Sequence, residues 1–343
     1  MPKTIRNKFD EMLTYENLLK AHRDSEKGKR RKDEVIKFNL KQEEYIKWLY
    51  IQLKSGTYIH GGYTSFYVSE PKLRKIEKAR YIDRIVHKWI VDYFLMDTFV
   101  KSFIDTSYAC IKGKGTHKAC LDLQKAMKKC ERIWGEYYII KTDVSKFFNS
   151  IDKDILINIL EKRIKDKKLM WLIKEILYKQ PRKKGIEIGN YTSQTFANIY
   201  LNEFDYFVKQ ELHLKYYYRY MDDSVALVKT KKEAKEVLLQ MENFLKEKLD
   251  LELNDKTQIF KNKQGVNFCG YKINPYRLKI RTNGKKRLKK KVKKLQYKIK
   301  NGEITSKEAK KYLAGHNGYI KIANTYNLEK KLFPAEYVID KII

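Results

Sequence analysis

The sequence predicts an α+β protein that ends in a small basic helical appendage. Three observations predict it: long stretches with apolar residues at helical spacing, short aromatic and β-branched runs among them, and a lysine-rich periodic segment from Lys285 onward. The chain has 343 residues, which at about 150 residues per domain allows two domains, or one domain and a large appendage. Hydrophobic residues make up 43% and aromatic residues 13%, a composition that offsets the entropy of ordering the backbone and so excludes a disordered chain. With 5 prolines, 15 glycines and no Pro- or Gly-rich linker, its regions pack against one another instead of hanging on tethers. Pro71, Pro181 and Pro275 mark changes of pattern.

Leu13 to Arg31 and Leu40 to Leu53 read as charged surface helices, the second with Tyr45, Trp48, Leu49 and Leu53 at its apolar positions. Tyr58 to Val68 mixes aromatic and β-branched residues, an extended segment that Pro71 ends. In Ile82 to Phe103, the residues Ile85, Val86, Trp89, Ile90, Tyr93 and Phe94 recur at helical spacing and predict a buried helix. Ile111 to Lys118, "IKGKGTHK", is a loop whose glycines let backbone approach an anion.

Tyr137 to Val144 is a continuous β-rich run bounded by Gly135 and Lys146, the pattern of a buried strand with Asp143 near its C-terminal end. Gly185 to Thr192 is a loop, and the helix after it collects Phe196, Ile199, Tyr200, Phe204 and Phe207 on one face. Tyr216 to Val228, "YYYRYMDDSVALV", reads as a hairpin with Asp222 and Asp223 at its turn. Lys232 to Lys248 is helical, and short extended pieces come after it around Leu251 to Phe260 and Val266 to Ile273. In the appendage, Leu288, Val292, Leu295 and Ile299 form one apolar stripe, so Lys285 to Lys300 leaves its other faces cationic. Gly302 stops that helix, Thr305 and Glu308 form a capping box for the next, and Gly315 and Gly318 punctuate a third helical segment.

Seventy-five Lys and Arg against 42 Asp and Glu give a net charge of +33, which draws polyanions, with nucleic acid or an anionic membrane surface as the candidates. The most apolar long stretch, Trp89 to Val100, is broken by Asp92 and Asp97 and falls short of the ~20 apolar residues of a span, so no membrane is expected. Met1 to Lys20 is charged where a signal peptide is apolar, and the expected compartment is the cytoplasm. Cys110, Cys120, Cys130 and Cys269 form no CxxC pair and are expected to be buried free thiols.

Two adjacent carboxylates flanked by apolar strands repel one another, gain nothing from packing, and want a cation. They are also common as plain turn residues. If Asp143 lies beside Asp222, the cluster holds one or two Mg²⁺ ions through oxygen while substrate phosphates complete the shell. Such a pair activates a 3′-hydroxyl and stabilises leaving pyrophosphate.

"YMDD" between β-rich runs, preceded by "KTDVSKFF" and "GNYTSQTFANIYLNEFD", resembles the sequence blocks of reverse transcriptases in their order and approximate spacing. Upstream, "EPKLRKI", "DRIVHKWI" and "SYACIKGKGTHKA" are similar to the finger blocks of bacterial members. Downstream, "LELNDKT" and "NFCGYKINP" are similar to the blocks that close the palm, so the likeness runs from about Phe66 to Asn324. The resemblance implies a right-hand polymerase: an N-terminal helical extension (1–65), fingers (66–135 with part of 153–190), a palm on a ferredoxin-like βαββαβ sheet (136–275) and a basic helical thumb (276–343).

The resemblance also implies roles. Asp143 and Asp222 are the leading metal ligands, Asp223 the secondary carboxylate and Val144 a backbone oxygen donor, for two Mg²⁺ ions, with Mn²⁺ as the alternative. Lys256 matches the lysine that protonates pyrophosphate. Lys72 and Arg74 fall where the fingers grip the incoming triphosphate, Phe148 where a ring excludes a 2′-hydroxyl, and Ile188 and Gly189 near the nascent base pair. Phe268, Cys269, Gly270 and Tyr271 occupy the primer grip, while Lys114 and His117 contact template or phosphate. Read without any family, the thumb lysines, Lys289 and Lys293 among them, form a track for the phosphates of an RNA–DNA duplex. The implied partners are template RNA, that duplex, dNTPs and a small basic accessory protein.

Most of these polymerases have Gln-Gly and Ser-Pro where this chain has Ile188-Gly189 and Ser193-Gln194. The departure resembles the enzymes of diversity-generating retroelements, which copy a template RNA into cDNA while misincorporating opposite adenine. Ile188 cannot donate the hydrogen bonds an amide offers near the base pair, which loosens base discrimination. Ser-Gln variants also occur among stand-alone reverse transcriptases of antiviral defence and retron-like type. No Cys/His endonuclease block or RNase H-sized extension comes after the thumb, which disfavours an intron maturase or a retroviral product. A noncatalytic RNA-binding scaffold is disfavoured by the intact Asp143, Asp222 and Asp223, and a basic architectural DNA binder would need no metal.

Overall fold

The computed structural model describes residues 3–69 and 73–332; Lys72 and the end of the expected thumb, 333–343, lie outside the described residues. The chain forms two compact units. Among the described residues, one takes in those through Asp105 with Asp143–His213 and Leu239–Asn254, the other Thr106–Thr142, Leu214–Leu238 and those from Asp255 onward.

In the first unit, helices run over Tyr15–Glu26, Asp33–Leu40 and Gln42–Ser55. Thr14 caps the first by accepting the Asn17 N–H at 3.1 Å. The antiparallel hairpin β1 (Tyr63–Val68) and β2 (Arg74–Ala79) pairs Tyr63 with Ala79 and Val68 with Arg74. The helix Tyr81–Ile90 buries Ile85, Val86, Trp89 and Ile90 completely. It continues through a wide turn at Val91–Leu95, so the helix expected over 82–103 is real but bulged, and Tyr93 is only half-buried. Asp152 caps Lys153–Arg163. Asp166 caps Lys167–Leu177 and also accepts the Lys8 and Phe9 N–H groups at 2.8 Å each. Tyr191–Tyr206 is the most buried long helix of this unit, with Phe196, Ile199, Tyr200 and Phe204 inside.

The second unit is built on a four-stranded sheet of β3 (Tyr138–Asp143), β4 (Tyr217–Tyr220), β5 (Asp223–Val228) and β6 (Gln258–Lys261), in the order β4-β5-β3-β6. Helices separate β3 from β4 and β5 from β6 along the chain. That chain order with this spatial order is the ferredoxin-like split βαβ arrangement. A second sheet is the meander β7 (Val266–Phe268), β8 (Tyr271–Asn274) and β9 (Arg277–Ile280). Pro275 marks a change of pattern as read, since it sits in the turn between β8 and β9, but the strand β9 after it is not expected from the sequence. Helix Thr116–Trp134 packs Cys120, Leu123, Met127 and Cys130 into one core with Ile139, Tyr218, Val225, Phe268 and Ile273 of the two sheets.

The last helices are Thr282–Lys300, Ser306–Lys321 and Tyr326–Leu332. The first buries Leu288, Val292 and Leu295 as its stripe requires, and Thr305 with Glu308 makes the capping box. Gly315 and Gly318 do not divide a helix, contrary to the sequence expectation; Ser306–Lys321 runs through both. A glycine in right-handed conformation weakens a helix by about 1 kcal/mol relative to alanine but does not end it. Cys110 also departs from expectation: all four cysteines are free and Cys120 and Cys130 are buried, but Cys110 is exposed in a loop and Cys269 half-buried. Among the described residues no helix is long and apolar enough to cross a membrane.

Candidate active site

Tyr220 pairs with Asp223 across the β4–β5 hairpin. The turn is therefore Met221–Asp222, and Asp223 opens β5 instead of belonging to the turn. Met221 has φ +57°, the left-handed conformation a two-residue hairpin turn requires and a methionine seldom adopts. The buried Arg219 guanidinium donates to the Met221 carbonyl at 3.0 Å and braces the turn. The Arg219 backbone exchanges bonds with Thr106 (2.9 Å) and Tyr108 (3.1 Å), so 106–108 flanks β4.

Two side-chain contacts tie β5 to β3. The Thr142 and Ser224 hydroxyls share a buried 2.6 Å hydrogen bond, and the nearly buried Lys141 forms an ion pair with Asp223. The Lys141 ammonium also lies 5.4 Å from the centre of the Phe268 ring. A buried ammonium is tolerated only when paired, so Asp223 has its charge met from within the protein.

Asp143 ends β3. Its carboxylate accepts the Asn254 side-chain amide at 2.5 Å, and its carbonyl accepts the Asn254 N–H at 2.9 Å. Val144 bridges Leu253 in antiparallel fashion, and the Ser145 N–H donates to the Glu252 carbonyl at 2.8 Å. Residues 252–254 thus hold the chain extended past Asp143. Lys146, at φ +43°, then bends it into the helical turn Phe147–Ser150. There Phe147 is buried and Phe148 half-buried, their ring centres 5.5 Å apart.

Arg74 is exposed at the start of β2, Ile188 is half-buried and Gly189 exposed. The Ile188 carbonyl accepts the Glu77 N–H of β2 at 3.0 Å. Arg182 links Glu77 (3.0 Å) and Glu187 (3.1 Å) just before it. Burial pushes the Glu187 carboxyl up; burial pushes Glu77 up too, but hydrogen bonds from Arg182 and Lys75 outweigh it and hold it low.

In the β7–β8 hairpin Phe268 and Tyr271 are wholly buried, so what it offers a nucleic-acid strand is the Cys269–Gly270 turn. Both turn residues have positive φ, +47° and +89°. Tyr319 donates its hydroxyl to the Gly270 carbonyl, and Tyr271 donates to the Tyr319 carbonyl at 3.0 Å. His117 lies in the first turn of its helix and not in the loop, with its ring 6.4 Å from that of Tyr271. The Lys114 ammonium stands 5.9 Å from the Tyr108 ring. Lys256 is exposed in the turn before β6, and Lys289 and Lys293 are exposed on Thr282–Lys300.

Sequence reasoning missed Lys141, Arg219 and Asn254. The first two were detectable as lone cations inside apolar β-rich runs, a position that demands an acidic or carbonyl partner. Asn254 carried no such signal. Among the described residues no three His, Cys, Asp or Glu side chains form a ready-made metal cage.

The chain matches the family described as Reverse transcriptase (RNA-dependent DNA polymerase) over residues 69–273. It is 26% identical to the Group II intron-encoded protein LtrA of Lactococcus lactis subsp. cremoris, the match covering 67% of this chain and 50% of LtrA. It is 25% identical to Protein YkfC of Escherichia coli, covering 60% of this chain and 64% of YkfC. The chain thus spans about half the length of LtrA. In fold it is similar to telomerase from Candida albicans, solved in complex with a fragment of telomeric RNA, at a TM-score of 0.50 and 12% identity over 79% of this chain and 57% of that one.

Proposed function

The chain belongs to the reverse transcriptase family and has its right-hand polymerase fold, and from that premise we propose that it copies a template RNA into cDNA. The observation that carries this reading is the sheet itself. β5 comes directly after a turn bearing Asp222 and adjoins β3, which ends in Asp143, and the Thr142–Ser224 bond locks the two strands together one residue before Asp143 and two after Asp222.

Asp143, Asp222 and the Val144 carbonyl are hard oxygen donors, the type Mg²⁺ takes, and Mg²⁺ is ordinarily held by one or two carboxylates with substrate phosphates completing its shell. The donor set fits that ion, with Mn²⁺ as the alternative. When bound, the metal supplies the Lewis acidity that activates the primer 3′-hydroxyl and stabilises the leaving pyrophosphate. Asn254 orients the Asp143 carboxylate, and Lys141 keeps Asp223 a neutralised, secondary carboxylate. Lys72 and Arg74 grip the triphosphate, Phe148 stands against the sugar, and Lys256 donates a proton to pyrophosphate. The Cys269–Gly270 turn holds the primer, Lys114 and His117 approach the template, and Lys289 and Lys293 track the duplex. These roles make fingers of the β1–β2 hairpin, a palm of the β4-β5-β3-β6 sheet and a thumb of the last helices.

Primer extension on an RNA template tests the reading: incorporation of dNTPs requires Mg²⁺ and falls about a hundredfold or more in Asp222→Asn. Activity without added metal, or in that variant, sinks it. We assign the enzyme to the diversity-generating type on Ile188-Gly189 and Ser193-Gln194, with a small basic accessory protein as partner. Sequencing the cDNA settles this point: errors concentrate opposite adenine and diminish in Ile188→Gln. Errors spread evenly over the bases favour instead a stand-alone enzyme of defence or retron-like type, or one of the intron-encoded kind to which the 26% identity to LtrA relates the chain.

A further inference from the structure

The segment Ile186 to Asn190 is strapped on both sides. On one side the Ile186 N–H donates to the Phe148 carbonyl at 2.9 Å; on the other the Glu77 N–H donates to the Ile188 carbonyl at 3.0 Å. Asn190 completes the second side. Its Oδ1 accepts the Ala79 N–H at 3.1 Å and its Nδ2 donates to the Glu77 carbonyl at 2.8 Å. β1 occupies one edge of β2 along its whole length, so these bonds fill the opposite edge at Glu77 and Ala79.

The helix does not account for this side chain. Asn190 is the N-cap residue of Tyr191–Tyr206, yet it makes no capping bond, whereas an asparagine there ordinarily accepts an amide of the first turn. It is 2% exposed and turned onto β2. The neighbouring Gly189 has φ +115°, and a Cβ there would stand 2.7 Å from the Ile76 side chain, so the segment meets β2 too closely for any other residue.

We propose that Asn190 is a positioning residue for deoxynucleotide selection: its amide clasps the β1–β2 hairpin, which carries Arg74, to a segment whose other edge is bonded to the Phe148 backbone. The triphosphate grip and the sugar gate are thereby set by one bonded strip of chain, and loosening the clasp moves both. This inference rests on the polymerase reading above.

The test is steady-state primer extension by the full chain with Asn190→Ser and Asn190→Asp. Serine still serves as an N-cap but cannot span two backbone groups. Aspartate keeps the acceptor for Ala79 and sets a second acceptor against the Glu77 carbonyl. Both variants are expected to raise the dNTP KM about tenfold with a smaller change in kcat, and to lower the preference for dNTPs over rNTPs. A cooperatively folded variant with wild-type KM and sugar preference overturns the clasp, as does a loss of kcat and melting temperature with KM unchanged. If both variants melt without cooperativity, amide exchange in the wild-type primed complex decides. Slower exchange of the Ala79 N–H on adding dNTP supports the proposal, and unchanged exchange overturns it. A wild-type chain that extends no primer fails the polymerase reading instead, so the two failures are distinguishable.

Discussion

Lys141 and Asp223 form an ion pair between neighbouring strands, one residue away from the Thr142–Ser224 hydroxyl bond. Asp223 is thus held by an internal cation, next to a turn that Arg219 braces through the Met221 carbonyl.

Lys141→Met is expected to destabilise the fold by ~1–3 kcal/mol, because it takes the ammonium partner from the Asp223 carboxylate. The loss is smaller than the 3–5 kcal/mol of a fully buried pair, since the Asp223 side chain is 31% exposed. Denaturant melts check this. Adding Asp223→Asn to Lys141→Met should restore part of the loss, and strict additivity of the two changes would contradict the pairing.

Phe148→Ala should admit ribonucleotides, lowering discrimination at least about tenfold, while Phe147→Ala should act on stability, because Phe147 is buried and Phe148 only half so. Competition between dNTP and rNTP in a single-nucleotide extension assay reads the difference. Unchanged sugar selectivity in the first variant removes the gate role.

Replacing Lys289 and Lys293 by glutamine should weaken binding to an RNA–DNA duplex and flatten its salt dependence by ~0.7–0.9 in log–log slope for each phosphate no longer neutralised. Filter binding across a range of salt measures it. A parallel downward shift with the slope intact would mean these exposed lysines touch no phosphate.

Stability should fall as pH drops below neutrality because of a buried histidine pair. His60 and His87 are wholly buried with their Nε2 atoms 3.1 Å apart. The His60 Nδ1 accepts the Gly62 N–H at 3.0 Å, so its proton sits on Nε2 and is donated to His87. The other His87 nitrogen bonds Thr192 at 3.2 Å. Burial lowers both pKa values from the ordinary 6.5. The unfolded chain therefore takes up protons first: stability is complete above 6.5 and is lost below it, by up to ~1.4 kcal/mol per pH unit for each group. Melting temperatures between pH ~7.5 and ~5.5 should show the slope, and His87→Gln should flatten it.

The features legible in the sequence are local ones. β3, the β4–β5 hairpin, the helix after Asn190 and the Thr305–Glu308 cap all announce themselves within a window of a few residues, through period, turn chemistry or capping. The carboxylates are found by the same means. The pairing of Asp223 is not legible, because it depends on Lys141 meeting a strand some eighty residues later in the chain. Asn254 at Asp143 and Asn190 at β2 are hidden for the same reason: an asparagine's partner is chosen by tertiary placement, and its sequence neighbours point only to turns and caps. β9 escapes a local reading because Pro275 marks a turn without saying that a third strand returns after it, and the helix through Gly315 because glycine signals a boundary that the helix overrides here.

Tyr319 has a consequence for the lengths of chain that evolution can tolerate here. Its phenol reaches the β7–β8 tip while its carbonyl receives the Tyr271 hydroxyl, and the two rings stack at 4.5 Å. Each residue added to an α-helix rotates the downstream part by about 100° and advances it about 1.5 Å. One insertion between Ser306 and Tyr319 would swing the ring clear of the tip, and a whole extra turn would recover the bearing but overshoot by about 5 Å. The stretch is therefore expected to tolerate no insertion or deletion if Tyr319 is to stay at the tip.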